Sequence, residues 1–509
     1  MKPNYMEVST LPCRSWCAVI QKGETSVYHG CDVEIFEGGF TDGAWNGPFS
    51  LEGLENATII SGTAALLKDG GLTCFSSSDR LCPLFSMRSD GRTYISNSAS
   101  FLLAAAGKEV DQAYPLHLYD LLKIWRKGLF DLSGIMRISS REHFNIHFSA
   151  IVNIGKDGTL SAERPPDGEF PSDYQKYHEI LQSAVTALLA NASSPLRKRQ
   201  MGSIVALSKG YDTNANAALV SRAGCKEAFS FYDPRWEEPY SDSGHEHAHY
   251  FGLNCKEVSR LAFLEAEDFD EAEFCFMPIS SQATLAGVEK DLAGKVFICG
   301  NNGDLAWKPT YAHYCNERSE SCARFISGIG QLEHQLRVGY VIFSPSCIGM
   351  IHSRQLANIA LSEEMQPWNI GGEYNRPLAR RLAEDAGLPR EAFGQTKIGG
   401  GFRHFFREED FTPGGYQRFQ QFCLERKKHT HPLVDRYWKF RVWLLYLVWK
   451  MVGHRGSRSP RSLTSWKCKF LAWNNCHPMK LKWDMLFVFM WSMVSLQKRY
   501  AAALEETGR

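Results

Sequence analysis

The sequence predicts an α/β protein: a β-rich amino-terminal domain, then a parallel-sheet domain, then a helical carboxyl-terminal extension. Three observations carry this. Short apolar runs separated by Gly and Asp fill residues 1 to about 150, the texture of a many-stranded β unit. From Ser203, strand-like and helix-like segments alternate, which argues for a parallel sheet covered on both faces. Beyond about Ser321 the chain reads mostly helical to its end. With 509 residues, 44% hydrophobic and 22% charged, it can build two or three domains around a sizeable core.

In the first domain, residues 1–155, the candidate strands are "SWCAVI", "TSVYHG", "LTCFSSS", "LFSMRS" and "TYISNS", with helices expected at Ser100 to Ala106 and Leu116 to Leu122. The Gly-, Pro- and charge-rich stretch from Asn153 to Asp173 predicts a linker. A helix follows from Tyr174 to Asn191, where apolar residues recur at helical spacing. The second domain, residues 173–432, then offers a strand at Ser203 to Leu207, a helix at Asn214 to Ala223, a strand at Ala228 to Phe231, a helix at His245 to Phe251 and a strand around "KEVSR". "KVFICG" and its loop come later. Residues 433–509 form a basic, Trp-rich helical extension. There are no internal repeats.

Lys plus Arg (57) nearly balances Asp plus Glu (56), but the charge is unevenly spread. From Glu425 to Arg509 there are 17 Lys/Arg against 5 Asp/Glu, a net +12, which leaves −11 for the rest of a chain whose total is +1. The first residues have no apolar core of a secretory signal, and no apolar run reaches the length of a membrane span. The 15 scattered cysteines suit reduced thiols, so a cytoplasmic location is expected. The tail alternates cations with Trp438, Trp443, Trp449, Trp466 and Trp473. At helical spacing Trp and Leu form core, with the cations as the solvated face. A membrane surface, an acidic partner or a leader-peptide groove are the competing readings, and no nucleic-acid partner is expected.

The sharpest local signal is "GSIVALSKGYDTNANAAL", from Gly202 to Leu219. A buried-type strand stops at Ser208-Lys209-Gly210-Tyr211-Asp212-Thr213 and a small-residue helix begins. In a parallel sheet, ligands bind beyond the carboxyl ends of the strands, and a helix N-terminus offers free N–H groups and a positive dipole end to phosphate. Gly210 allows close backbone approach, Ser208 and Thr213 supply hydroxyls, and Asp212 suits Mg²⁺ rather than an anion. The plain alternative is a strand-to-helix turn capped by Asp212 or Thr213.

This stretch resembles the "SGGxDS" pyrophosphate loop of the asparagine-synthetase-like ATP pyrophosphatases, with Lys209 for the second-position glycine and Thr213 for the final serine. "GKVFICGNNGDLAW", Gly294 to Trp307, resembles that family's strand followed by "SGEGADEL": Cys299, Gly300, Asn301, Asp304 and Leu305 take the Ser, Gly, first Glu, Asp and final Glu places. "YNRPLARRLAEDAGLPREAFGQTKIGGGF", Tyr374 to Phe402, resembles the late helical segment that supplies a catalytic lysine, here Lys397. "EAFSFYDP" matches the strand lining the adenine pocket, with Ser230 and Phe231 at its contact positions. The resemblance therefore implies ATP held by Ser208, Lys209, Gly210, Tyr211, Asp212, Thr213, Ser230, Phe231 and Gly300. It also implies Mg²⁺ held by Asp212 and Asp304, and catalysis by Lys397 and Asp304. Lys209 is expected to turn its ammonium and its N–H toward the phosphates. Asn301 in place of glutamate implies a different acceptor.

The first domain is similar to the glutaminase half of asparagine synthetases through "GAWNGPFS" and "CFSSSDRLCPLFSMRSDGRTYISNSASFLLAAAG". That resemblance implies an Ntn-type β sandwich followed by an HUP-like parallel-sheet domain. Glutamine hydrolysis there needs an amino-terminal cysteine; here position 2 is Lys2, and Cys13 and Cys17 are internal. The expectation is a degenerate domain without glutaminase chemistry. It precedes an ATP-dependent ligase that adenylates a small-molecule or peptide carboxylate and couples it to an amine. A silent relative that binds ATP or a partner is the alternative, and a homodimer is the candidate assembly. His245 and His249 would share a helical face, but no third metal ligand is readable.

Overall fold

A computed structural model describes residues 3–68, 70–122, 136–139, 142–165, 169–233, 242–266, 269–277, 281–309, 329–372, 374–393, 404–453 and 482–506. It is a mixed α/β structure with several sheets. The first third forms two large sheets. One runs in the order Asn4–Glu7, Glu24–His29, Trp16–Gln21, Arg92–Ser96, Leu84–Ser89, His143–His147, Met136–Arg137. The other runs Leu160–Glu163, Ile151–Ile154, Gly71–Phe75, Ala64–Lys68, Gly39–Thr41, Glu34–Phe36. Alternate residues of both sheets, among them Trp16, Ile20, Phe40, Leu72, Leu84 and Val152, share one buried cluster, so the sheets pack face to face. Trp16 meets Phe40 edge-on at 4.9 Å.

The expected linker from Asn153 is corrected here. Ile151–Ile154 and Leu160–Glu163 pair as a hairpin. Its turn, Gly155-Lys156-Asp157-Gly158, has the composition that reads as a linker: Gly158 sits at φ +76° and Asp157 accepts the Thr159 N–H at 2.9 Å.

The second sheet system has five parallel strands: β1 (Gly202–Leu207), β2 (Glu227–Tyr232), β3 (Asn254–Ser259), β4 (Lys295–Ile298) and β5 (Val341–Phe343). Their order is β3-β2-β1-β4-β5. β5 lies in the region expected to be mostly helical; three residues are too short a run to stand out from helical texture. α1 (Tyr174–Ala192) starts at Asp173, whose carboxylate accepts the Lys176 N–H at 2.9 Å, and buries Tyr177, Leu181, Val185 and Leu188 at i, i+4, i+8, i+11. α2 (Tyr211–Arg222) follows β1 directly, with Gly210 at its N-cap; neither Asp212 nor Thr213 caps it, and it starts three residues before the expected helix. His245–Phe251 is a 3₁₀ helix, so His245 and His249 do not share a face.

The two sheet systems are joined by buried polar contacts. Arg14 donates to the Gly339 carbonyl at 2.8 Å, Ser61 to the Ile342 carbonyl at 2.8 Å, and the Ser344 N–H to Asp79 at 3.1 Å. The carboxyl-terminal helix α3 (Val488–Glu505) returns to the amino-terminal unit and lies on the helix Ala99–Ala106. Phe101 and Tyr500 stack at 4.7 Å. Buried Glu333 accepts from both Ser98 (2.6 Å) and Tyr500 (2.7 Å). Of the tail tryptophans expected to form core, Trp438 is half-buried against the main core and Trp443 is exposed, while Trp466, Trp473 and the Trp449 side chain lie outside the described residues.

Candidate functional site

The strand order reverses between β1 and β4, and open parallel sheets form their ligand crevice at the carboxyl ends of the strands on either side of such a reversal. Ser208 to Gly210 leaves β1 there, and Cys299 to Asp304 leaves β4. The two loops touch. A Cβ on Gly300 would lie 2.9 Å from Thr213 Cγ2, and one on Gly303 would lie 2.6 Å from Asp212 Cβ and Cγ. Both positions therefore need glycine for close approach rather than for torsion. One Cα step beyond Gly303, the Asp304 Cα falls within about 8 Å of the Asp212 carboxyl carbon. Among the described residues no group of three His, Cys, Asp or Glu side chains could hold a metal ion.

The β1 loop is closed on itself. Ser208 Oγ and Thr213 Oγ1 are 2.8 Å apart, the Ser208 N–H donates to Thr213 Oγ1 (3.2 Å) and the Gly210 N–H donates to Ser208 Oγ (3.1 Å). The Lys209 N–H donates to the Asp242 carbonyl at 3.1 Å, which corrects the expectation that it faces a phosphate. The Asp242 to Gly244 segment lies on the loop through a Ser208–Ser243 bridge, and a Cβ on Gly244 would come within 2.6 Å of the Ser208 backbone. Ser230, expected beside adenine, is fully buried: its hydroxyl donates to the Leu207 carbonyl (2.9 Å) and accepts the Gly244 N–H (2.8 Å). It ties this segment to the sheet. Phe231 packs edge-on against Phe229.

Two residues that sequence reasoning missed hold the loop. Asn214 Nδ2 donates to the carbonyls of Ser208 (2.8 Å) and Gly210 (2.6 Å), and its Oδ1 meets His247 Nδ1 at 2.9 Å. With its amide nitrogen spent, Asn214 presents only an acceptor, which assigns the proton to His247 Nδ1. Burial, and then the nearby Lys209 charge, hold the His247 pKa below its ordinary value. The one signal in the sequence was an Asn in the first turns of a helix, where Asn has poor propensity; its burial shows only in the structure.

The third segment also arrives here. Pro377 opens the helix Pro377–Glu384, and the preceding turn presents Tyr374 and Arg376. The Tyr374 hydroxyl accepts the Tyr211 backbone N–H at the start of α2. Arg376, only 3% exposed, places Nε 3.6 Å from Asp212 Oδ1, and among the described residues neither its Nε nor its Nη1 has a hydrogen-bond partner. Tyr211 packs between Tyr374 and Phe393, both at 4.8 Å, and its hydroxyl takes a hydrogen bond from buried Arg380. Lys397 lies outside the described residues.

Asn301 turns away from the crevice: its Oδ1 accepts from Gln282 (2.8 Å), and its carbonyl accepts from Ser344 (2.6 Å) and Ser346 (3.0 Å). Leu305 packs against the core. The resulting cluster sets a buried guanidinium and a helix N-terminus beside one ion-paired aspartate, a field that favours an anion. The sequence matches no family model and no curated protein.

Proposed function

We infer that this chain is an ATP-dependent carbon–nitrogen ligase of asparagine-synthetase-like type, with a degenerate amidotransferase-like first domain. It would activate a carboxylate with ATP, release pyrophosphate and pass the acyl group to an amine. The observation that carries the reading is convergence. Three segments more than a hundred and fifty residues apart end to end, those at Ser208–Thr213, Gly300–Asp304 and Tyr374–Arg380, meet at the reversal point of one parallel sheet. A plain strand-to-helix turn needs none of the other two. In this reading Arg376, the α2 N-terminus and Lys209 attract the triphosphate, and Gly300 and Gly303 let the two loops close on each other. The carboxylates fit Mg²⁺ only as partial ligands. Mg²⁺ keeps waters and takes one or two carboxylates plus substrate phosphates, and Asp212 and Asp304 are such a pair, with Arg376 sharing the charge on Asp212. When bound, the ion would neutralise phosphate charge.

A second reading, an ATP- or partner-binding protein without turnover, draws on the closed loop. The N–H groups of Ser208, Lys209 and Gly210 are already engaged, so a phosphate cradle there requires the Asp242 to Gly244 segment to lift. One experiment separates the two. Purified chain with ATP, Mg²⁺ and a panel of carboxylates is assayed for pyrophosphate exchange, alongside equilibrium ATP binding. The ligase reading expects exchange with at least one acid, abolished in Asp212→Asn and Asp304→Asn with the melting temperature retained. ATP binding without exchange selects the second reading in its nucleotide form, and neither binding nor exchange rejects the ligase and leaves only a partner-binding role.

A further inference from the structure

The basic tail holds a feature the nucleotide site does not use. α4 (Pro432–Gly453) is 22 residues long. (It precedes α3 in the chain.) Its inner face carries Trp438 and Val442, half-buried against the main core, with Trp438 meeting Tyr114 at 5.2 Å. On the opposite side Leu433, Tyr437, Phe440 and Leu444 recur at i, i+4, i+7 and i+11, one helical face, and are 64%, 54%, 60% and 44% exposed. Trp443 borders them at 54%. Such a run of large apolar side chains in water marks an interaction surface.

The charges around the stripe choose its partner. Arg436, Lys439 and Arg441 are exposed on its flanks. The one acidic residue of the helix, Asp435, is held by Arg426 at 3.1 Å and Lys439 at 3.4 Å. Over residues 432–444 the helix is therefore apolar and aromatic on its outer face and cationic at its edges, and its one carboxylate is paired. A second copy docking face to face would bring these cations against each other. Nucleic acid would match the cations and leave the Leu and Phe side chains exposed. Among the described residues no helix is long and apolar enough to cross a membrane, and α4 carries five charges, so it can lie on a bilayer but not span one.

We propose that the outer face of α4 docks this protein on the surface of an anionic lipid bilayer. Tyr437, Phe440 and Trp443 enter the headgroup boundary while Arg436 and Arg441, on either side of the stripe, meet lipid phosphates. The test uses the full chain in co-flotation with vesicles of phosphatidylcholine alone and of phosphatidylcholine with one-third phosphatidylglycerol. The expected result is capture by the anionic vesicles, weakened by salt, with little capture by the neutral ones. The Phe440→Ser/Trp443→Ser double variant should lower capture about tenfold or more, which corresponds to about 1.4 kcal/mol or more, and should melt as the wild type does because both side chains are exposed. Arg436→Glu should weaken capture by the anionic vesicles alone. No capture of wild type by anionic vesicles overturns the proposal. So does capture that ignores lipid charge and both variants, or a wild-type dimer that the double variant dissociates, since the stripe would then be a subunit interface. If the double variant fails to fold, the lipid-charge and salt dependence of the wild type still decides the matter.

Discussion

Gly303→Ala tests the contact on which the proposed site depends. The added methyl would stand 2.6 Å from Asp212 Cβ and Cγ and 2.9 Å from its Oδ1. Carbon atoms rest at about 3.5–4.0 Å, so one loop must retreat by about 1 Å. The Asp212 Cβ is fixed by the first turn of α2 and cannot swing aside as a side-chain tip could. Ala gains up to about 1 kcal/mol over Gly inside a helix, less here, because Gly303 is the first residue of a four-residue helix. Overpacking costs about 1–3 kcal/mol, so a net loss of about 1–2 kcal/mol is expected, a melting shift of about 2–8 °C for a unit of this size. The same retreat moves the Asp212 carboxylate relative to Arg376, so ATP affinity should fall as well. Gly202→Ala is the control: its Cβ would meet Lys295 Cγ at 3.5 Å, an ordinary contact. Differential scanning calorimetry and ATP titration on the three proteins read the outcome. A Gly303→Ala protein that melts at or above wild type would refute the claim that the loops are held this closely.

Two further predictions follow from charge. Burial pushes the Asp79 carboxyl up to about 6, against hydrogen bonds from Ser77, Leu81 and Ser344 that pull it down. The folded chain then holds this proton more tightly than the unfolded one, so the contribution is complete below about pH 4 and lost as the pH rises through about 6, at a scale of about 3 kcal/mol. Wild type should lose more melting temperature than Asp79→Asn over that window; equal slopes would count against a buried Asp79. Lys209→Gly should weaken ATP binding, with a loss that shrinks at high salt. Unchanged or tighter binding would show that Lys209 is a tolerated surface residue.

Strands and loops whose signal is local were legible in the sequence. β1 and β4 hold the apolar runs Ile204 to Leu207 and Val296 to Ile298, followed by Ser-Lys-Gly and Cys-Gly, and strands alternate with helices where the parallel sheet forms. What escaped depends on three-dimensional company. Arg376 lies more than a hundred and sixty residues from Asp212, and nothing local distinguishes it from Arg380 or Arg381. Asn214 and His247 acquire meaning only once the 3₁₀ turn folds over α2. The hairpin at Ile151–Glu163 was missed because Gly, Lys and Asp serve a tight turn and a linker equally well. Ser230 was read as a ligand contact, yet the covering segment at Asp242 to Gly244 takes its hydroxyl.

The docking of α3 on the helix Ala99–Ala106 bears on how the protein is made. Ser100 and Met493, which touch there, are 393 residues apart in the chain. At about 5–20 residues per second, synthesis leaves the first helix without its cover for about 20–80 s. Throughout that interval Phe101, fully buried in the finished protein, faces the ribosome's surroundings with Tyr500 not yet made. The amino-terminal unit can form its sheets as it emerges, but this apolar face closes only once α3 has been made. A premature stop before α3 would thus strand a chain whose Phe101 face stays uncovered, at a site far from the lesion.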